Sequence, residues 1–248
     1  QGYADMEYPM MINDTSVPND LQDARLTADH EIAHTYFPFY MGINETRYAF
    51  MDEGWATMLE YLIGISENGQ ESADKFMKNF RVKRWINDAS AEQDQPIITM
   101  SSQLSGTGYG NNAYVKSALS YLALKDYLGD DLFKKALHHY MDNWNGKHPI
   151  PWDYFNSMNT GSGKNLNWFF ENWFYTNNYI DLKIAAVAKQ DKQLVLTVEN
   201  VGGFAVPFDV VVIYDDNSTE KIHFTPSVWE KNQKQTILNF TIKKKAKS

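Results

Sequence analysis

Apolar residues recur every three or four positions from about residue 20 to residue 178, and then alternate one by one from about residue 181 to the end. The first repeat puts one apolar stripe on an α-helix, and the second puts one apolar face on a strand. The helical regime predicts elements over Asp20–Phe37, Phe50–Ile65, Ala73–Ala89, Ala113–Leu128, Asp131–Trp144, Trp152–Met158 and Leu166–Tyr175. Pro38 stops the first, because proline lacks the N–H and restricts the residue before it. Met51, Trp55, Met58, Leu59 and Leu62 form the stripe of the second. Gly129 closes the fourth as a C-cap, and Gly146 ends the fifth. The run Trp168, Phe169, Phe170, Trp173 and Phe174 reads as core.

The alternating regime predicts strands over 194–198, Phe208–Tyr214, Lys221–Phe224 and Gln235–Ile242, separated by Gly, Asn, Asp and Pro turns. The expected architecture is a mainly α domain over residues 1–180 followed by a small all-β sandwich over 181–248.

Composition narrows the chemistry. With 43% hydrophobic and 15% aromatic residues the chain has ample core material, which excludes intrinsic disorder. No apolar run approaches the roughly 20 residues that span a bilayer, so no membrane span is expected. There is no cysteine, hence no disulfide, thiolate metal site or cysteine nucleophile, and any metal must be held by His and carboxylates. The net charge is −8, and the first sixty residues hold 11 acids against 2 bases. Such a segment repels a phosphate backbone, which argues against nucleic acid as a partner, and favours metal ions or amines. It is equally readable as a solvated acidic surface. The chain starts at Gln1 with no initiator Met and no signal-like segment, so it is expected to be a piece of a longer protein. Lys243, Lys244 and Lys245 read as a solvated tail.

One motif carries chemistry. His30-Glu31-Ile32-Ala33-His34 is an H-E-x-x-H within a predicted helix. Residues four apart share a helical face, so both imidazoles can ligate one ion, while Glu31 is placed to reach a water as general base. Zinc also needs a third protein ligand and an open position. Glu53 follows His34 at the start of the next helix, in Asp52-Glu53-Gly54-Trp55-Ala56.

The spacing H-E-x-x-H-x18-E and three further blocks resemble the gluzincin metallopeptidases, the aminopeptidase N family in particular. Residues 52–56 match that family's block around the third ligand. Ala4-Asp5-Met6-Glu7-Tyr8-Pro9 resembles its G-A/G-M-E-N strand, with departures at Ala4, Asp5 and Tyr8. Tyr114-Val115-Lys116-Ser117-Ala118 resembles its Y-x-K-G-A block, with Ser117 in place of Gly. The resemblance covers residues 2 to about 225. It implies a thermolysin-like catalytic domain before the sandwich, and one Zn²⁺ per chain held by His30, His34 and Glu53. It implies Glu31 as base, Tyr114 as the hydroxyl that stabilises the tetrahedral intermediate, and Glu7 as the anchor of a substrate α-amine. Peptides with a free N-terminus are the implied substrates; the compartment is not given by the residues, and a periplasmic or secreted location is suggested by the resemblance alone. The large β domain that the family places before Glu7 is not within these 248 residues.

Several positions keep two readings. Tyr109 matches a tyrosine common beside the Tyr114 block, or is packing. Glu60 shares a helical face with Glu53 and could hold a ligand His through a hydrogen bond, or be an ordinary surface acid. Asp29 and Asp52 flank ligands and could add only negative field. His138, His139, His148 and His223 have no ligand spacing and read as surface or core. Two rival functions share the motif: an endopeptidase or other hydrolase on the same zinc, and a catalytically silent binding module.

Overall fold

A computed structural model describes residues 5–16, 21–86, 94–190, 192–244 and 246–247. Ala4, Asp20, the 87–89 end of the third expected helix and Lys245 lie outside the described residues.

A short antiparallel hairpin comes first: β1 (Met6–Tyr8) and β2 (Met11–Asn13), with Glu7 opposite Ile12. β2 is absent from the sequence expectation because its three residues are all exposed and leave no alternation to read. α1 (Leu21–Ala33) follows and ends four residues before the expected limit. The reason is local: Phe37, the residue before Pro38, is extended at φ −132° and ψ 108°. α2 (Glu45–Tyr48) is capped by Asn44, whose side chain accepts from the Arg47 N–H. A 3-10 turn at Ala49–Met51 then leads into α3 (Glu53–Asn68).

The third expected helix is interrupted, and the fourth begins inside a wide turn. α4 (Gln70–Phe76) and α5 (Lys83–Ile86) flank a π-helical turn at Met77–Val82. α6 (Gly106–Gly110) and α7 (Ser117–Leu128) flank a second at Asn111–Lys116. A single wide turn shifts the helical phase by about one residue, too little for the hydrophobic pattern of a whole segment to reveal it. α8 (Asp130–Trp144) and α10 (Asn167–Phe174) lie within one residue of their expected limits, and α9 (Pro151–Ser162) runs four residues past its own, to the left-handed Gly163. Among the described residues no helix is long and apolar enough to cross a membrane.

Trp55 sits at the centre of the helical core. Its ring stacks on Tyr121 at 4.0 Å and on Phe37 at 5.0 Å between centroids, and meets Tyr154 edge-on at 5.7 Å. Burial of such a side chain contributes roughly 1.5–3 kcal/mol, so the start of α3 is held firmly against α7 and α9. That start is Glu53.

The β part has a sheet of order β3 (Leu182–Gln190), β4 (Gln193–Asn200), β7 (Gln235–Thr241), and a hairpin of β5 (Phe208–Ile213) with β6 (Thr219–Phe224), all antiparallel. Leu196, Val198 and Leu238 of the sheet share a core with Trp229 and with Phe208, Val210 and Phe224 of the hairpin, which makes the arrangement a sandwich. β3 has no counterpart in the sequence expectation. A bulge between Ile184 and Ala186 breaks its alternation, and residues 183–189 are exposed.

Helical and β parts share a seam. Trp173 stacks on Phe204 at 4.4 Å, and its indole N–H donates to the Ala205 carbonyl at 3.1 Å. At the rim of this seam His223 bridges Asp209 of β5 (2.8 Å from Nδ1) and Asp126 of α7 (3.0 Å from Nε2), with Lys221 on the other oxygen of Asp209. Both ring nitrogens face carboxylates, so the bridge is complete only in the protonated ring. These contacts, Asp209 first, raise the His223 pKa despite partial burial. A raised histidine stabilises the fold fully below its unfolded pKa of 6.5 and loses that contribution as pH rises through the folded value. His223→Ala is therefore expected to lower Tm at pH 6 by an amount equivalent to about 0.5 kcal/mol, and to have no effect at pH 9. Equal effects at both pH values would contradict this.

Candidate metal centre and catalytic site

His30 in the last turn of α1 and His34, the residue just past its end, lie on one face with ring centroids 4.9 Å apart. The first residue of α3 meets them: Glu53 Oε2 lies 3.1 Å from His30 Nε2 and 3.5 Å from His34 Nε2. The three ligand atoms fall within 4.8 Å of one another, and all three residues are buried.

His34 shows what this pocket suits. Its Nδ1 lies 2.6 Å from Asp52 Oδ1 and 2.8 Å from the Phe37 carbonyl oxygen, two acceptors that keep a proton on that nitrogen. Nε2 is then a bare lone pair, and it is buried with no hydrogen-bond partner. Leaving such a group unsatisfied costs about 1–3 kcal/mol. Two imidazole nitrogens and one carboxylate, with no sulfur, form a donor set that fits zinc. Glu7 reaches the same space from β1, with Oε2 4.0 Å from His34 Nε2.

Glu31 is 5% exposed and its Oε2 has no partner. Burial raises its carboxyl to about 7, with His30 and His34 opposing the shift and Glu7 and Glu53 adding to it. Burial likewise lifts Asp52 well above the usual carboxylate range, reinforced by Glu53, Glu45 and Glu7. His30 and Glu53 move apart: burial, the largest single effect, works against both charges, but their mutual hydrogen bond together with Glu60 on His30 and with His34 and Tyr114 on Glu53 outweighs it. His30 rises to about 9, with Glu60 helping, and Glu53 falls.

The Tyr114 hydroxyl donates to Glu53 Oε1 at 2.6 Å, and burial followed by the Glu53 charge pushes its pKa up. Tyr114 lies in the second π-helical turn rather than at a helix start. Tyr109 is half-buried, with its ring 6.4 Å from that of Tyr114. Burial and the neighbouring carboxylates push its phenol up to about 12. Glu60 is 2% exposed and lies 3.7 Å from His30 Nδ1, so it is not a surface acid. The structure thus brings together His30, Glu31, His34, Glu53, Glu7, Glu60, Tyr114 and Tyr109. His148 is elsewhere, on the Gly42 carbonyl at 2.6 Å, and His223 is at the β seam.

Two residues at this site escape sequence reasoning. Asp52 orients His34, where its sequence position suggests only negative field. Arg81 makes three contacts of 2.8–3.1 Å with the Glu60 carboxylate and none of its sequence neighbours marks it. A cleft of about 410 Å³ opens beside Glu31, lined by Met10, Met11 and Ile12 of the hairpin and by Ile32 and Phe39.

Comparison with known proteins bears on this geometry. Residues 5–173 match the profile of the Peptidase family M1 domain. Aminopeptidase N of Lactococcus lactis subsp. lactis is 22% identical over 180 residues, covering 70% of this chain and 21% of that protein. Tricorn protease-interacting factor F2 of Thermoplasma volcanium is 26% identical over 184 residues, covering 72% of this chain and 23% of its own length. The chain therefore spans about a fifth of the length of these relatives. Among solved structures, an M1 zinc metallopeptidase of Deinococcus radiodurans bound to a Tyr-Ser-Ala substrate superposes with a TM-score of 0.58 at 16% identity, over 73% of this chain and 39% of that one. Aminopeptidase A of Legionella pneumophila in complex with aspartic acid gives 0.57 at 16% identity, over 90% and 25%. At these identities the likeness to the solved structures is one of fold.

Proposed function

The chain belongs to peptidase family M1, and on that footing we propose that it carries the zinc and catalytic residues of an aminopeptidase that removes residues from free peptide N-termini. The observation that carries the proposal is the orphaned, buried Nε2 of His34, facing Glu53 with Glu31 and Glu7 close by.

His30, His34 and Glu53 would hold one zinc ion. What the ion supplies when bound is Lewis acidity, which polarises a scissile carbonyl and makes a water acidic enough to attack near neutral pH. The remaining work falls to the chain's own side chains. Glu31, with a free oxygen and a pKa near neutrality, takes a proton from the attacking water and returns it to the departing amine. Asp52 and the Phe37 carbonyl keep the His34 proton on Nδ1. Tyr114 donates its hydroxyl to the developing oxyanion, for which it must exchange its present partner Glu53. Glu7 is buried on β1 and offers a carboxylate to a substrate ammonium, which would set the cleavage point one residue in.

The test uses the full-length protein loaded with zinc. It is expected to bind one zinc per chain and to cleave aminoacyl amides at least about tenfold faster than their N-acetyl forms, since acetylation removes the charge that Glu7 would pair with. Equal rates on both would favour the endopeptidase reading, bound zinc without turnover the silent module, and no zinc would sink the proposal.

A further inference from the structure

Arg81 has no part in the chemistry above, yet its guanidinium touches three members of the site. It donates to Glu60 through Nε (3.1 Å to Oε2) and Nη2 (3.0 Å to Oε1 and 2.8 Å to Oε2). Nη2 lies 3.3 Å from His30 Nδ1, and the guanidinium carbon sits 5.6 Å from the centre of the Tyr114 ring. That ring in turn lies nearly parallel to the His30 imidazole, 6.0 Å away. Arg81 and Tyr114 stand in two of the three π-helical turns among the described residues, Met77–Val82 and Asn111–Lys116, the other being Thr35–Tyr40. Each wide turn adds a residue to the helical circuit and re-aims a side chain, and such turns recur at functional sites.

We propose that Arg81 is a positioning residue: it fixes the Glu60 carboxylate as acceptor for His30 Nδ1–H and seats the Tyr114 ring. The first role follows from the tautomer. For His30 Nε2 to act as a zinc ligand its lone pair must be free, which puts the proton on Nδ1. The carboxylate facing Nδ1 is that of Glu60, whose Oε2 lies 3.7 Å away, within ion-pair range and a few tenths of an ångström beyond a hydrogen bond. Arg81 cannot accept a proton, so its nearness to Nδ1 is useful only through the carboxylate it holds. A carboxylate without the guanidinium would be a buried charge, 2% exposed, free to turn away from the imidazole. A planar fork gives direction as well as charge, which a lysine would not reproduce. The second role follows from the cation over the Tyr114 face, which leaves the hydroxyl end directed at Glu53.

This inference rests on the zinc reading of the site, and its test separates the two. Arg81→Met, Arg81→Lys, Glu60→Gln and the Arg81→Met/Glu60→Gln pair are made in the full-length protein. Zinc affinity is measured by competition with a chromogenic chelator, and kcat and KM by aminoacyl amide hydrolysis at saturating zinc. Arg81→Met is expected to weaken zinc about tenfold and to lower kcat about tenfold with KM within twofold. Glu60→Gln should weaken zinc by a similar factor, and the pair should be no worse than either alone, because the guanidinium acts through that carboxylate. Arg81→Lys keeps charge and stem and should fold even if the Met variant does not; a loss of about threefold, between wild type and Met, is expected. Losses that multiply in the pair, or zinc affinity within twofold of wild type in both Arg81 variants, would overturn the inference. Wild type that binds zinc without turnover would remove the peptidase reading and leave the affinity comparison to decide on Arg81. Wild type without zinc affinity would overturn both.

Discussion

Glu31→Gln is expected to lower kcat by about 10²–10⁴-fold while zinc stays bound at one per chain. Gln keeps the volume and hydrogen-bonding reach of Glu but cannot take and return a proton. Glu31 belongs to neither of the two groups whose ligand atoms lie within 4.8 Å of one another among the described residues, His30, His34 and Glu53 or Glu7, His34 and Asp52. Its Oε2 has no partner in the folded chain, so the amide breaks no hydrogen bond at that atom. Burial already disfavours charge at this position, so the uncharged isostere should melt no lower than wild type. Metal content by elemental analysis, Tm, and hydrolysis of aminoacyl amides together decide the matter. Turnover within tenfold of wild type with zinc retained would place the base on another residue. Loss of zinc together with turnover would make Glu31 a structural support of the metal rather than the base.

The parts of this site that are legible in sequence are those whose chemistry is local. His30, Glu31 and His34 fall within five residues at the end of α1, and the helical period alone says which of them share a face. Glu53 stands in a block whose neighbours also have work to do: Asp52 on His34 and Trp55 at the centre of the core. The supporting residues are hidden because their role exists only after packing. Arg81 is one of five basic residues between 75 and 84 and meets Glu60 across 21 positions, through a π-helical turn that leaves no trace in the pattern. The same physics separates the strands. β4 buries every second residue and is readable, whereas β3 is exposed over residues 183–189, carries a bulge, and offers no alternation.

Gly54→Ala is the second large effect expected, and it links packing to the metal. A β-carbon at Gly54 would lie 2.7 Å from Ser117 Cβ and 3.0 Å from Tyr121 Cε2, with the Ser117 hydroxyl closer still. None of these atoms can move cheaply. The Ser117 hydroxyl is held on the Ala113 carbonyl at 2.7 Å, and Tyr121 is stacked on Trp55 and donates to the Phe50 carbonyl at 3.0 Å. The added methyl must therefore push α3 away from α7. Overpacking of this kind costs about 1–3 kcal/mol. The displacement falls on the residue after Glu53, whose carboxylate bridges both histidines and receives the Tyr114 hydroxyl. Zinc affinity should accordingly fall along with Tm, by roughly tenfold or more if the ligand shift resembles loss of a supporting contact. Ser117→Gly supplies the control. It removes the two nearest atoms that the new methyl meets, at a helix-propensity cost of its own of about 0.5–1 kcal/mol. The Gly54→Ala/Ser117→Gly double variant should therefore be more stable, and bind zinc more tightly, than the sum of the single changes, by at least about 1 kcal/mol in a double-mutant cycle. Additive losses would mean that α3 relaxes along some other path, and that the close approach of α3 to α7 is not what places Glu53. Recovery of both Tm and zinc affinity would show that the approach is what sets the ligand, with the residue at 117 choosing which small side chain the interface can hold at 54.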